Sequence, residues 1–469
     1  MLNIKDQLNS TPHKKILLAA GSLSDELSIP SYIVGGYVRD IILNRETTDI
    51  DIMVEGDGIL FAKKLSQKLN IDNIVVYEKF QTALIPYKEI QIEIATARTE
   101  IYSENSRKPE IKSTSINEDL SRRDFTINSI AASLNKKNYG DIIDPFNGIE
   151  DIKKRIIITP VDVNETLKED PLRMLRAIRF SAQLGFDIDK QVINGIKKHK
   201  DRLQIISWER ITEEIIKSLK TDKPSIAFYL LKETDLLAYV FPEIDIMPGL
   251  DIIDGYGHKD VFIHTLQVVD NAAKLTNKME IRFAALVHDI GKPATKKFVP
   301  GKGWTFHGHD GLGSYMIIKI AKRMKLSKKL KEYLQLMTKL HLRPIALVKD
   351  NITDSAVRRL MVEAGECLDD LMILCRADIT TKNAMKVEKY RANFERVEKL
   401  MHDVTMRDQM KSFQSPVKGE DIMRELNLEP CKKIGYIKKM IEEAILEGEI
   451  ENTYEDAYQY LLKIKNTSL

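Results

Sequence analysis

Two aspartates one residue apart, Asp49 and Asp51, lie in T-D-I-D-I-M-V-E, residues 48–55. Ile50, Ile52 and Val54 alternate with them, which predicts a strand with an apolar face inward and both carboxylates on the other. Like charges held that close repel, and burying them is costly unless a cation lies between them. Hard oxygen ligands suit Mg²⁺, which commonly takes one or two carboxylates and leaves its other positions to water and phosphate. Upstream, Y-I-V-G-G-Y-V-R-D (residues 32–40) reads as a short apolar strand, a Gly35-Gly36 turn and the start of a helix. Backbone N–H groups at a Gly-Gly turn can approach a polyphosphate closely, and Arg39 adds a cation one turn on. Glu93, in the alternating I-Q-I-E-I, is a candidate third carboxylate: either a metal ligand or the base for a hydroxyl proton.

Two arginine-rich strings could read a nucleotide. In S-R-R-D-F-T-I-N, Arg122 and Arg123 supply planar forks for phosphate or base oxygens. Asp124 could hold one of them or a ribose hydroxyl, and Asn128 can position a neighbour. In E-D-P-L-R-M-L-R-A-I-R-F, Glu169 to Phe180, Pro171 suits a helix start. Asp170, Arg173, Arg176 and Arg179 then recur every three residues, while Leu172, Leu175, Ile178 and Phe180 serve packing. Cytosine and adenine both present an amino donor beside a ring acceptor; uracil and guanine present the reverse. An acceptor-only Asp170 beside a donor-only Arg173 therefore accepts C and A and leaves unpaired groups with U and G.

A second chemistry is written in histidine. Nine occur in the chain, and six of them (His258, His264, His288, His307, His309, His341) fall between residues 258 and 341. A-A-L-V-H-D-I-G-K ends an apolar helix at His288-Asp289, His264 precedes it on another helix, and Asp378 follows in C-R-A-D-I-T. Such N/O ligands could hold one divalent ion; His309 and His341 would permit two, able to clamp a phosphate. His307 and His258 are the weakest candidates.

The elements that must place these groups follow from the rest of the chain. Its 469 residues exceed one hydrophobic core. A lead-in helix through Ile16, Leu17, Leu23 and Leu27 precedes the first strand. A helix over 61–69 and strands over 74–77, 82–86 and 90–96 follow, and the polar segment 96–115 reads as a mobile loop. Beyond about residue 187, helical periodicity dominates. With 43% hydrophobic and 30% charged residues, no apolar run long enough for a membrane span and no export signal, a cytoplasmic protein is expected. Cys367, Cys375 and Cys431 lack zinc spacing and read as reduced thiols. A net charge of +3 makes any basic footprint local.

Taken together, G-G-x-V-R-D…D-x-D, the R-R-D string and E-D-P-L-R resemble the class II CCA-adding enzyme and bacterial poly(A) polymerase family. Likewise H…HD…D resembles the HD phosphohydrolase superfamily. The resemblance spans nearly the whole chain. It implies an α+β amino-terminal nucleotidyltransferase palm with a mixed sheet (1–150), a mainly helical neck carrying the base-selecting motif (151–240), an HD domain (241–385) and a helical tRNA-binding tail (386–469).

It implies a tRNA nucleotidyltransferase adding C, C and A to the tRNA 3′ end from CTP and ATP without a nucleic-acid template. Asp49 and Asp51 bind Mg²⁺, Gly35, Gly36, Arg39 and Arg123 hold the triphosphate, and Glu169, Asp170 and Arg173 select the base. Arg122, Asp124, Asn128, Arg176 and Arg179 join the nucleotide site. Arg107 matches the arginine of a flexible loop that serves the switch from C to A, which argues against a CC-only variant. The basic G-R-R-F signature of poly(A) polymerases is absent; V-V-Y-E-K-F-Q-T-A-L stands there instead. At the HD site, His264, His288, Asp289, His309, His341 and Asp378 would hold Ni²⁺, Mn²⁺, Fe²⁺ or Zn²⁺ for a 2′,3′-cyclic phosphodiesterase or phosphatase. An A-adding or poly(A)-adding variant is one rival, and a phosphohydrolase whose palm only binds RNA is another. No membrane partner is expected, and a monomer or weak homodimer is.

Overall fold

The computed structural model describes residues 2–47, 49–88, 90–101, 110–249, 251–253, 256–257, 259–347, 354–381, 383–412, 415–446 and 449–467. After helices α1 (Lys5–Ser10) and α2 (Lys14–Leu27), the chain forms β1 (Ser31–Val34), α3 (Gly36–Ile42), β2 (Ile50–Val54) and α4 (Gly58–Lys68). Then come β3 (Val75–Tyr77), β4 (Thr82–Tyr87), β5 (Ile90–Thr96), β6 (Arg98–Ile101), β7 (Glu110–Ser113), α5 (Ile116–Ser121), β8 (Ala131–Ser133) and β9 (Ile142–Ile143). Seven of these strands make one mixed sheet in the order β3-β4-β5-β2-β1-β8-β9. β1 is antiparallel to both neighbours, and β2 runs parallel to β5 with Asp51 opposite Glu93.

All four residues of β1 are buried, as its apolar run requires at the centre of a sheet. Tyr32, Val34, Met53 and Ala131 pack with Ile116 and Leu120 of α5 on one face. Asp57 caps α4 by accepting from Leu60 N–H at 2.9 Å, and the helix buries Phe61 and Leu65 completely. Burying each of those side chains contributes roughly 1.5–3 kcal/mol. The segment expected to be a loop is instead a paired antiparallel ribbon at its base, β6 with β7. Its polar residues carry no apolar alternation, so pattern alone could not reveal the pairing.

The helical part begins with α6 (Gly148–Lys154), α7 (Val163–Glu169) and α8 (Leu172–Leu184), followed by α9 (Lys190–His199), α10 (Trp208–Leu219) and α11 (Ser225–Glu233). α8 packs against α10 and α11 and ends at Gly185, whose φ of 67° suits a left-handed cap. Helices Val261–Leu275 and His309–Arg323 carry His264 and His309, and His288 and His341 follow directly on helices Met279–Val287 and Lys328–Leu340. By compactness the chain divides into Met1–Leu342 with Asp369–Thr380, and Arg343–Leu368 with Thr381–Leu469. Residues 343–368, inside the range expected for the HD domain, thus group with the carboxy-terminal helices. That second unit has its own core of Val417, Ile422, Ile437, Ile441, Ala457 and Leu461. Among the described residues, no helix is long and apolar enough to cross a membrane.

Candidate active site

One cleft of about 900 Å³ gathers most of the nucleotide-handling residues expected from sequence. Gly35, Gly36 and Arg39 line it with Asp49, Asp51, Arg122, Arg123, Asp124 and Asn128, and α8 contributes Arg173, Arg176 and Arg179 with Asp170 just before it. Asp51 sits on β2, while Asp49 precedes the strand by one residue and is exposed. Burial and the facing Glu93 push the Asp51 carboxyl up to about 6. Glu93 is exposed on β5 beside it. Among the described residues, donor groups of three that approach within 4.8 Å occur at the histidines, and the palm carboxylates are not gathered that tightly.

Gly35 has φ 68°, and a Cβ there would lie 2.8 Å from Arg123 Nη1. Glycine thus satisfies the backbone and lets the guanidinium lie over the turn. Arg123 is aimed by Asp119, whose Oδ2 accepts from Nε at 3.3 Å and Nη2 at 3.2 Å. Arg39 is buried and donates to both carboxylate oxygens of Asp40 and to Asn128 Oδ1, 2.7 Å away. Asn128 in turn donates to Asp124 Oδ1 at 3.0 Å, and Asp124 Oδ2 accepts from Arg176. Burial raises Asp124, but Arg176 and Asn128 more than offset it and hold the carboxyl low. Three guanidiniums, of Arg39, Arg176 and Arg179, lie 5.2, 5.3 and 4.0 Å from the centre of the Phe180 ring. Phe180 packs edge-on against Phe125, and a hydrogen-bonded chain therefore runs from α3 through the R-R-D string into α8.

The E-D-P-L-R string is placed differently from a simple Asp170–Arg173 pair. Glu169 accepts from Arg122 at 2.6 Å and from Arg173 at 2.8 Å. Arg173 also donates to the carbonyls of Thr166 and Arg122. Asp170, just before α8, accepts from Leu172 N–H at 3.1 Å and from Arg210 Nη2 at 2.8 Å. Arg179, largely buried, is paired with Glu214 on α10 at 2.6 Å. Arg107 lies outside the described residues.

The histidines form a second, compact cluster. His264 Nε2 is 3.0 Å from Asp378 Oδ1 and 3.4 Å from Asp289 Oδ2. His288 Nε2 is 3.2 Å from Asp289 Oδ2, and His309 and His341 point Nε2 at Asp289 Oδ1 from 3.3 and 3.7 Å. In His288, His309 and His341, Nδ1 meets the carbonyl three residues back, at 2.8, 2.7 and 2.7 Å. A carbonyl can only accept, so Nδ1 carries a proton, and in the neutral ring the Nε2 lone pair is the one directed at the cluster. His288 Nε2 and Asp289 Oδ1 are buried without a hydrogen-bond partner. Orphaned acceptors around one carboxylate are what a bound cation would satisfy, so this donor set fits a metal. Burial disfavours the charged form of His264, yet Asp289 and Asp378 raise it to about 9; burial and His288 lower His341 to about 4. Gly291 is required here, since a Cβ would lie 2.2 Å from the His309 carbonyl oxygen. His307 is exposed, and His258 lies outside the described residues.

Comparison with known proteins finds three family matches along the chain. Residues 31–158 match the poly A polymerase head domain, 185–247 the probable RNA and SrmB-binding site of polymerase A, and 261–383 the HD domain. An A-adding tRNA nucleotidyltransferase of Geobacter sulfurreducens is 33% identical over 275 residues, 58% of this chain and 29% of that protein's length. A multifunctional CCA protein of Pseudoalteromonas atlantica is 32% identical over 375 residues, covering 76% of this chain and 87% of that protein. The chain belongs to the family of CCA-adding and A-adding tRNA nucleotidyltransferases. A tRNA nucleotidyltransferase solved with a primer tRNA and an ATP analogue shares the fold at TM-score 0.57 and 25% identity, over 81% of this chain and 99% of that one. An apo CCA-adding enzyme shares it at TM-score 0.59 and 22% identity, over 98% and 97%.

Sequence reading missed several residues of this tRNA nucleotidyltransferase's cleft. Arg45, Arg210, Lys217 and Lys220 line it, yet none belongs to a recognisable string. Lys292, whose Nζ lies 2.6 Å from Asp289 Oδ2, follows the H-D-I-G run and could have been singled out by that spacing.

Proposed function

We propose that the cleft adds C, C and A to the tRNA 3′ end from CTP and ATP. The observation carrying this is the convergence of the Gly35-Gly36 turn, the carboxylates, Arg123 and the Asp170–Arg173 region on one cavity. Asp49 and Asp51 would hold Mg²⁺, and the raised Asp51 carboxyl fits that role, since a cation relieves the repulsion from Glu93. When bound, Mg²⁺ makes the primer's 3′-hydroxyl more acidic and neutralises the leaving pyrophosphate. Glu93 takes the hydroxyl proton or completes the ligand set. The turn N–H groups and Arg123 seat the triphosphate; Asn128, Asp124 and Arg176 keep Arg39 and α8 in place. Asp170 accepts the amino group of C or A once Arg210 releases it, and Arg173 donates to the ring acceptor. Replacing Asp49 with Ala should end pyrophosphate release from CTP while tRNA still binds. Retained release would overturn the assignment. The A-adding relative supports a second reading, in which only the final A is added.

We further propose that the histidine cluster hydrolyses phosphate esters, 2′,3′-cyclic phosphates among them. His264, His288, Asp289, His309, His341 and Asp378 would hold a Ni²⁺, Mn²⁺, Fe²⁺ or Zn²⁺ ion, which would polarise the phosphate. Lys292 steadies Asp289 and adds positive charge beside the ester. Water adds to phosphorus as one P–O(ribose) bond breaks, and the ribose oxygen leaves with a proton. The orphaned Asp289 Oδ1 and His288 Nε2 carry this reading.

A further inference from the structure

The two aspartates of the palm are held unequally. Asp51 lies within β2 and is fixed by the ladder, opposite Glu93 on β5. Asp49 precedes the first residue of that ladder, Ile50, and is exposed, so strand pairing does not set its position. It belongs to the connection between α3 and β2, which leaves the helix with Arg45 N–H donating to the Asp40 carbonyl at 2.8 Å. Thr47, two residues before Asp49, is half-buried and lines the cleft. Its hydroxyl meets the phenol of Tyr37, the residue after Gly36 on α3. Tyr37 is 2% exposed, and its Oη also lies 3.3 Å from Thr11 Oγ1 and 3.3 Å from His13 Nδ1, between α1 and α2.

Counting protons gives this cluster a direction. Thr11 Oγ1 donates its one proton to the Leu8 carbonyl at 2.9 Å, so toward Tyr37 it can only accept. The Tyr37 proton is thereby committed to Thr11, and the phenol oxygen accepts from Thr47, with a second lone pair left for His13 Nδ1. Donation runs from Thr47 to Tyr37 to Thr11 to the Leu8 carbonyl, that is, from the loop before β2 into helix α1. We infer that this hydroxyl chain is a latch for Asp49: Tyr37 is a positioning residue that holds residues 45–49 so that the Asp49 carboxylate is presented with Asp51 to a cation. Hydrogen-bonding groups that orient a metal ligand govern affinity much as the ligands themselves do. The effect on catalysis rests on the Mg²⁺ role proposed above for Asp49, while the latch itself stands on the hydrogen bonds.

In the full-length protein, Tyr37→Phe keeps the ring and loses the hydroxyl; Thr47→Val loses the other hydroxyl at similar volume, and Thr47→Ser retains it. Hydrogen–deuterium exchange of the metal-free protein should quicken several-fold in the peptide covering residues 43–50 in the first two variants, not in Thr47→Ser, and stay unchanged in β5. In the same two variants the Mg²⁺ concentration for half-maximal CTP incorporation should rise about tenfold. KM for CTP at saturating Mg²⁺ should stay within about twofold, because the glycine turn and Arg123 are untouched. Tyr37→Phe combined with Thr47→Val should be no worse than either alone, since both break one chain. Unchanged exchange, effects that multiply in the double variant, Thr47→Ser behaving like Thr47→Val, or a loss that excess Mg²⁺ does not recover would each overturn the latch. So would quickened exchange with an unchanged Mg²⁺ requirement. A protein that shows the expected exchange pattern but incorporates no CTP, with or without substitution, keeps the latch and overturns the proposed nucleotide transfer instead.

Discussion

The two sites handle buried charge in opposite ways. In the nucleotide cleft the arginines and their acidic neighbours are paired, Arg39 with Asp40 and Asn128, Asp124 with Arg176, Glu169 with Arg122 and Arg173, Asp170 with Arg210, while Asp51 faces Glu93. In the histidine cluster, Nε2 atoms converge on Asp289 and buried acceptors lack a donor. The first site is held together by ion pairs, so under the proposed base-reading role Asp170 would have to leave Arg210. The second brings N and O donors together around one carboxylate, a set that suits a cation.

The sharpest way to break this contrast is to remove one carboxylate from each site. Asp51→Ala should lower CTP incorporation by at least about 10³-fold and leave metal content at the histidines unchanged. Asp289→Ala should lose that metal, measured by elemental analysis, and leave CTP incorporation within about twofold. Cross-effects of equal size would mean the sites are not separate. Next comes selection: Arg173→Ala should erode discrimination against UTP and GTP by roughly 5- to 100-fold, the cost of one unsatisfied buried group. Competitive incorporation assays check this.

A smaller effect separates the sites by pH. Metal-free His264 holds its proton up to about 9, so a cation must displace it. Manganese affinity at the histidines should therefore rise about tenfold per unit from pH 7 to 9, as calorimetry with proton-release analysis can show. The least effect concerns stability. Asp51 titrates near 3.8 unfolded and at about 6 folded, so the metal-free protein loses stability as pH rises through that window and stays lower above it. Asp51→Asn should raise the metal-free thermal midpoint at pH 8 slightly, and not at pH 4.

Much of the sheet and both motif helices were legible because β1 is a short apolar run and apolar residues recur at period two in β2 and β5 and at helical spacing in α8. Asp51 and Glu93 could each be named, but their register, side by side, required the parallel pairing of β2 with β5. Partners far apart in sequence were not legible: Arg210 meets Asp170 across 40 residues and Glu214 meets Arg179 across 35. Three-residue strands such as Lys297–Val299 are too short for periodicity to announce, and the sequence of β6 and β7 carries no regular apolar alternation. Asp170 and Arg173 were paired by their chemistry in sequence, whereas the fold gives Arg173 to Glu169.

The central claim is that one cleft reads both C and A. The direct measurement is to incubate full-length protein and Mg²⁺ with a tRNA lacking its last three nucleotides, supply each nucleoside triphosphate alone and all four together, and sequence the 3′ ends. The account predicts two C residues with CTP alone and C-C-A, then arrest, with all four. Addition of A alone only to a primer already ending in C-C, or an open-ended A tract, would contradict it.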